Sequence, residues 1–269
     1  GTPAQAGAAL AWLVGMLTLG TATPHLMRGL PLGRPWEGVL LGASGLAIVG
    51  GGLVLRLGDG PHLPPTAGPL ALRSGLEALS VPGFRAAAGG YFGHMWEVYA
   101  VWMLVPLFVA REVERLGAPA EAVPILSWMI IGIGLLGCVI GGRLSRDRGS
   151  GWVASRALAI SGGLCLLYPI FTALGIPPVL LIGLLLVWGL TVSADSPQFS
   201  ALASASAPTH RVGASLAIMN AIGFGLTIPA IALTSHLWSV QGPWVALWLL
   251  PGPVLGLWAL NHKAARPLH

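Results

Sequence analysis

Of the chain's 269 residues only 9% carry a formal charge while 55% are hydrophobic, and the mean hydropathy is +0.78. A soluble domain carries about 25% charged residues, so the composition excludes a soluble globular protein and specifies an integral membrane protein. The net charge of +5 and the pI near 10 do not mark a nucleic-acid binder, because the basic residues sit singly at the ends of apolar segments instead of forming one patch.

The chain opens at Gly1, and its first apolar segment follows within a few residues without a basic leader or cleavage site, which reads as an N-terminally incomplete chain. Apolar windows of bilayer-spanning length are predicted at about 6–27, 36–57, 86–110, 122–142, 152–173, 177–204, 210–235 and 241–261, so the expected fold is all-α with about eight transmembrane helices. The longest polar interruption, 58–85, holds Pro61, Pro64, Pro65, Pro69 and Pro82 and is the only candidate linker. Within it Leu72, Leu76 and Leu79 recur at i, i+4 and i+7, the pattern of a short helix lying on the membrane surface. The expected domains are therefore 1–57 with two helices, the linker 58–85, and 86–269 with six. By hydropathy and topology those six divide into triplets 86–173 and 177–261 of opposite starting side, as inverted repeats do.

Loop charges orient the chain. Arg56, Arg73, Arg85, Arg143, Arg146, Arg148, Arg156, Arg211, Lys263 and Arg266 fall on one side, and Arg28, Arg34, Arg111 and Arg115 on the other. The richer side is expected to be cytoplasmic, together with both termini. Trp36, Trp152, Trp238, Trp244 and Trp258 near segment ends suit interfacial belts. Trp96, Trp102, Trp128 and Trp188 lie deeper, as packing residues or cavity wall, with Trp96 set apart by its place beside Glu97.

Glu97 is the only formal charge between Ala86 and Ala110 and falls near the middle of that segment. A charge there costs about 2.5 kcal/mol or more on insertion scales, so it normally faces a bundle interior or a watery cavity. His94, three residues earlier, shares its helix face. Two readings stand: a proton-titrating or cation-pairing pair, or a polar pair that fastens two helices. Asp195 occurs in Asp195-Ser196-Pro197-Gln198, where Pro197 removes a backbone hydrogen bond and Ser196, Gln198 and Ser200 can refill it. That patch reads either as a substrate or gating site or as a kink whose Asp195 pairs with Arg143 or Arg211. Asn220 is a lone amide in an apolar helix, packing glue or ligand contact; His25 is interfacial or lines a cavity. The pairs Gly38/Gly42 and Gly137/Gly141 allow close helix approach.

Cys138 and Cys165 lie in apolar runs without metal or disulfide spacing and read as small buried thiols. The single lysine, Lys263, leaves no phosphate loop, and there is no HExxH, so neither a cofactor nor a metal is expected and no enzymatic activity is assigned.

The six helices after the linker, the basic turn Gly142-Arg143-Leu144-Ser145-Arg146-Asp147-Arg148-Gly149 and the Asp195–Ser200 string resemble the C-terminal half of a major facilitator superfamily transporter, and the first two helices, with Thr21 to His25, resemble its helices five and six. The basic turn departs from the family in placing Arg146 where an acidic residue belongs, and Thr23-Pro24-His25-Leu26 lacks the antiporter's Gly-Pro pair. The resemblance implies a complete six-helix C-terminal bundle and transport of a small-molecule substrate by alternating access, ion-coupled, with protons as one candidate ion. It also implies an inner-membrane location in the lipid bilayer, a monomer at full length, and a substrate or proton pathway drawn from Glu97, His94, Asp195, Gln198, Trp96, Asn220 and His25. A non-transporting membrane subunit or remnant is one alternative. Another is an intramembrane serine hydrolase, since Gly42-Ala43-Ser44-Gly45 looks like the rhomboid GxSG motif.

Overall fold

The computed structural model describes residues 3–30, 36–57 and 72–261, with side chains described from Ala9 and, in the last segment, from Gly75. Arg34, residues 58–71 of the proline-rich linker, Lys263 and Arg266 lie outside the described residues, as do the side chains of Leu72 and Arg73.

The described chain forms helices α1 (Pro3–Gly29), α2 (Trp36–Leu57), α3 (Leu72–Glu77), α4 (Pro82–Arg115), α5 (Ala122–Gly132), α6 (Gly134–Arg148), α7 (Ser150–Ala173), α8 (Pro178–Ala194), α9 (Ser196–Ser206), α10 (Val212–Gln241) and α11 (Pro251–Asn261). Seven stretches are long and apolar enough to cross a membrane, and the last of them, Thr209–Asn261, holds both α10 and α11. The expected all-α membrane architecture is therefore found, with three differences in detail. The 122–142 window is interrupted at Ile133, where the helix tightens by one residue between α5 and α6. The 177–204 window is divided at Asp195 into α8 and α9. The final window begins as a 3₁₀ segment, Gly242–Leu249, and becomes α-helical only at Pro251.

α4 is the axis of the bundle. Its 34 residues rise about 51 Å, well beyond the roughly 30 Å hydrocarbon core, and α5, α8, α9, α10 and α11 all pack against it. The contacts are close because glycines remove side chains where helices cross. A Cβ on Gly93 would overlap the carbonyl of Gly252, one on Gly137 that of Leu190, and one on Gly189 that of Ile130, so α4 meets α11, α6 meets α8 and α5 meets α8 backbone to backbone. Gly42 likewise admits the Met27 thioether, joining α2 to α1.

α1 lies on α5, α6 and α9, whereas α2 contacts α1 and buries none of its residues. The short helix α3 is held against the bundle. It packs on α10, with Gly75 against the backbone of Ala214, and Glu77 forms an ion pair with Arg211. The bundle interior near the far end of α4 is aromatic: the Phe108 ring lies 4.5 Å from Tyr168, 6.1 Å from Trp188 and 5.5 Å from Trp238. Trp238 is thus partly buried and packed against the core.

Candidate functional site

His94 and Glu97 share a face of α4, yet the fold separates them into two polar knots. Glu97 is fully buried. Its Oε2 accepts a hydrogen bond from Ser161 Oγ at 3.0 Å, and its Oε1 accepts from Trp188 Nε1 at 2.9 Å and from Cys165 Sγ at 3.4 Å. Ser161 and Cys165 stand one turn apart on α7 and Trp188 comes from α8, so three helices meet at one carboxylate. These partners lie on α7 and α8, whereas α1 packs chiefly on α5, α6 and α9. Of the two surroundings expected for Glu97, a bundle interior or a watery cavity, its three donors and complete burial correspond to the bundle interior.

His94 turns instead towards the break between α8 and α9. Its Nδ1 lies 2.9 Å from Asp195 Oδ1, and its Nε2 lies 2.7 Å from Ser196 Oγ. Both His94 and Asp195 are buried. The contact with Asp195 has ion-pair distance, but the ring nitrogen is not aimed at the oxygen as a hydrogen bond requires, and Asp195 Oδ2 has no hydrogen-bond partner among the described residues. The imidazole contacts Asp195 with one nitrogen and Ser196 with the other, and so bridges α4 to the helix break. Neither Arg143 nor Arg211 pairs with Asp195 among the described residues; Arg211 is engaged by Glu77.

The break has a local cause. Proline at position 197 lacks the N–H that would bond the carbonyl of Ser193, and that carbonyl accepts from Cys138 Sγ at 3.1 Å instead. Asp195 O receives the amides of Gln198 and Phe199 at 2.9 and 3.0 Å, which restarts the helix as α9. Cys138 and Cys165 are both buried free thiols, each donating within a polar knot.

The remaining expected residues are dispersed. Gln198 is buried one turn beyond Asp195, Asn220 is exposed on α10, and His25 is half-buried on α1. The indole of Trp96 donates to the carbonyl of Trp248 at 3.0 Å and lies against Gly252, fastening α4 to the 3₁₀ segment. Adjacency in sequence to Glu97 was misleading here, since successive helix residues point about 100° apart. Trp188 is the indole at the carboxylate. Ser44 is exposed on α2.

Sequence reasoning passed over a third polar knot. Glu112, fully buried near the end of α4, accepts from Arg111 Nη1 at 2.7 Å, from Arg115 Nη1 at 2.5 Å and from Tyr168 Oη at 3.4 Å. Arg115 Nη2 also reaches the carbonyl of Ile176 at 3.2 Å, closing the α7–α8 turn onto α4. The signal was an i, i+3 Glu–Arg pair at a helix end, which is ordinarily a solvated surface pair.

A cavity of about 1250 Å³ opens at the end of the bundle where α4 starts and α7, α9 and α11 converge; His94, Glu97 and Asp195 are not in its wall. Among the described residues no group of three or more His, Cys, Asp or Glu side chains could hold a metal ion.

No family model and no curated protein matches the chain. Among solved structures it is similar to a bacterial homologue of the iron transporter ferroportin in an outward-facing state, with 16% identity and a TM-score of 0.59 over 85% of this chain. The chain spans about half the length of that transporter, 53%. This is a likeness of fold, and it agrees with the order of apolar helices in the sequence. The chain accordingly forms an all-α membrane protein with the fold of part of an α-helical membrane transporter.

Proposed function

We propose that the protein carries a small solute across the membrane by alternating access, with ion coupling at the His94–Asp195–Ser196 knot. The observation that carries this reading is a buried imidazole held between a carboxylate and a hydroxyl at the point where a membrane helix breaks. Discontinuous helices lining midplane sites are a recurring device of secondary transporters, and buried ionisable groups within the membrane mark ion and substrate paths.

The parts divide into a frame and a hinge. Glu97 ties α4 to α7 and α8, while α9 packs on both α4 and α1. A shift of the N-terminal helices against the bundle would reach α9, which carries Ser196 and Gln198, as well as α5 and α6. A proton on His94 strengthens its attraction to Asp195 and holds the α8–α9 junction to α4; a neutral ring leaves only the weaker polar contacts there. Gln198, Asn220 and His25, which stand on three different helices, are assigned to separate points along the solute path, and Trp96 to fastening the frame. The architecture is assigned to the major facilitator type, in the inner membrane with both termini of this chain cytoplasmic.

The similar solved structure is a homologue of an iron transporter, which makes Fe²⁺ the first solute to try, followed by sugars, amino acids and organic anions. Full-length protein in proteoliposomes under an imposed pH gradient is expected to accumulate one of these. Flux should be abolished by His94→Gln and by Asp195→Asn; unchanged flux in both variants would remove the knot from the mechanism, and absence of flux for every solute would favour a non-transporting subunit.

A further inference from the structure

The large cavity is not accounted for by the transport reading. Its wall combines Arg148 at the end of α6, Trp152 and Arg156 on α7, the start of α4 around Pro82, Ser206 on α9 and Asn261 at the end of α11. Among the described residues no acidic side chain lines it. Arg148 and Arg156 lie 5.3 and 5.7 Å from the Trp152 ring, one on either side of it in sequence, and neither is in an ion pair among the described residues. Ser150 and Gly151, also in the wall, belong to the first turn of the 24-residue helix α7, whose preceding residue Gly149 offers no side-chain cap. Their amides lack partners within the helix and favour a negative charge at that end.

The cavity's position tells which anion. It opens at the bundle end between α4, α7, α9 and α11. Of these α9 packs on α1, but α7 and α11 pack chiefly on other helices of the bundle and leave this side of the cavity facing away from α1 and α2. Beyond its mouth both helices present exposed apolar side chains, Ile160 and Leu167 on α7 and Leu255 and Trp258 on α11. A free anion has no use for that apolar surface, whereas an acyl chain does.

We propose that this cavity is a binding site for an anionic glycerophospholipid, whose phosphate sits between Arg148 and Arg156 against the first turn of α7 while its acyl chains lie along α7 and α11. Basic pockets between membrane helices hold anionic headgroups in this manner, each arginine contributing about fivefold. The site joins the ends of α4, α7 and α11 and so braces the bundle from its lipid side.

Native mass spectrometry of the full chain with equimolar phosphatidylglycerol and phosphatidylcholine tests the assignment. The expected result is preferential retention of phosphatidylglycerol, lowered by about tenfold or more in the Arg148→Gln/Arg156→Gln variant. The charge-matched variant Arg143→Gln/Arg146→Gln, altered on the same turn but outside this cavity, should keep the preference. Equal loss in both variants would reduce the effect to general surface charge and overturn the site. Wild-type protein without the preference, or undiminished retention in the first variant, would overturn it too. Displacement of the lipid by millimolar inorganic phosphate would overturn the lipid assignment in favour of a free-anion site.

Discussion

His94 Nδ1 on α4 stands 2.9 Å from Asp195 Oδ1 at the junction of α8 and α9, and both side chains are withdrawn from solvent. The pair binds the central helix to the only described membrane helix interrupted at an acidic residue. Removing one member of a buried pair leaves the other uncompensated, at about 3–5 kcal/mol. His94→Ala and Asp195→Ala should each destabilise the protein by that order, and the double variant should be less destabilised than the sum, a coupling of about 1–3 kcal/mol by equilibrium unfolding in detergent. Strict additivity would show that the two groups do not interact.

Glu97 gathers three donors, and truncation exposes what each contributes. Glu97→Ala leaves Ser161, Cys165 and Trp188 unpaired in the interior, and each orphaned donor costs about 1–3 kcal/mol. Trp188→Phe removes a single donor and should cost about 1 kcal/mol for the lost bond, in addition to any loss of packing. The comparison is read from thermal unfolding; a Glu97→Ala variant as stable as Trp188→Phe would show that the carboxylate does not organise the three helices.

Glycine substitutions separate close approach from mere flexibility. In Gly189→Ala the new methyl would overlap the carbonyl of Ile130 and force α5 from α8, a strain of about 1–3 kcal/mol. Gly183, on the same helix, has open space at its Cβ position, so Gly183→Ala should be neutral or stabilising by up to about 1 kcal/mol. Equal effects at both sites, measured as shifts of the unfolding midpoint, would refute the backbone-contact reading.

The Glu112 knot predicts a different phenotype. Arg115→Ala loses the bond to Glu112 and the one to the Ile176 carbonyl, which should loosen the turn between α7 and α8. Hydrogen exchange at Leu174–Ile176 should accelerate in Arg115→Ala and remain at the wild-type rate in Arg143→Ala, whose side chain lies at the other end of the bundle. Unchanged exchange in both would show that the arginine does not clamp that turn.

The hydroxyl, imidazole and carboxylate of Ser196, His94 and Asp195 stand in the order of a nucleophilic triad. Such a serine needs an approach for an acyl substrate, and the large cavity does not reach it. A fluorophosphonate probe should therefore label neither Ser196 nor Ser44. Labelling at either, detected by peptide mass spectrometry, would replace the transport reading with an intramembrane hydrolase.

Much of the architecture was determined by the sequence alone, because burial in a bilayer demands long apolar helices and tolerates few interruptions. The number and order of spans, the positions of Glu97 and His94 within α4 and the proline-linked irregularity after Asp195 could all be read from residue types and spacing. Pairing could not, because it depends on which helices meet. Only the tertiary structure decided that His94 belongs with Asp195, 101 positions along by residue number, and that Glu97 belongs with Ser161, Cys165 and Trp188. It also decided that Glu112 is buried, since a Glu–Arg pair at a helix end looks the same in sequence whether water or a neighbouring tyrosine covers it. Spacing along a helix tells which side chains share a face; what that face meets is set by the backbone contacts that the glycines of α4, α6, α8 and α11 permit.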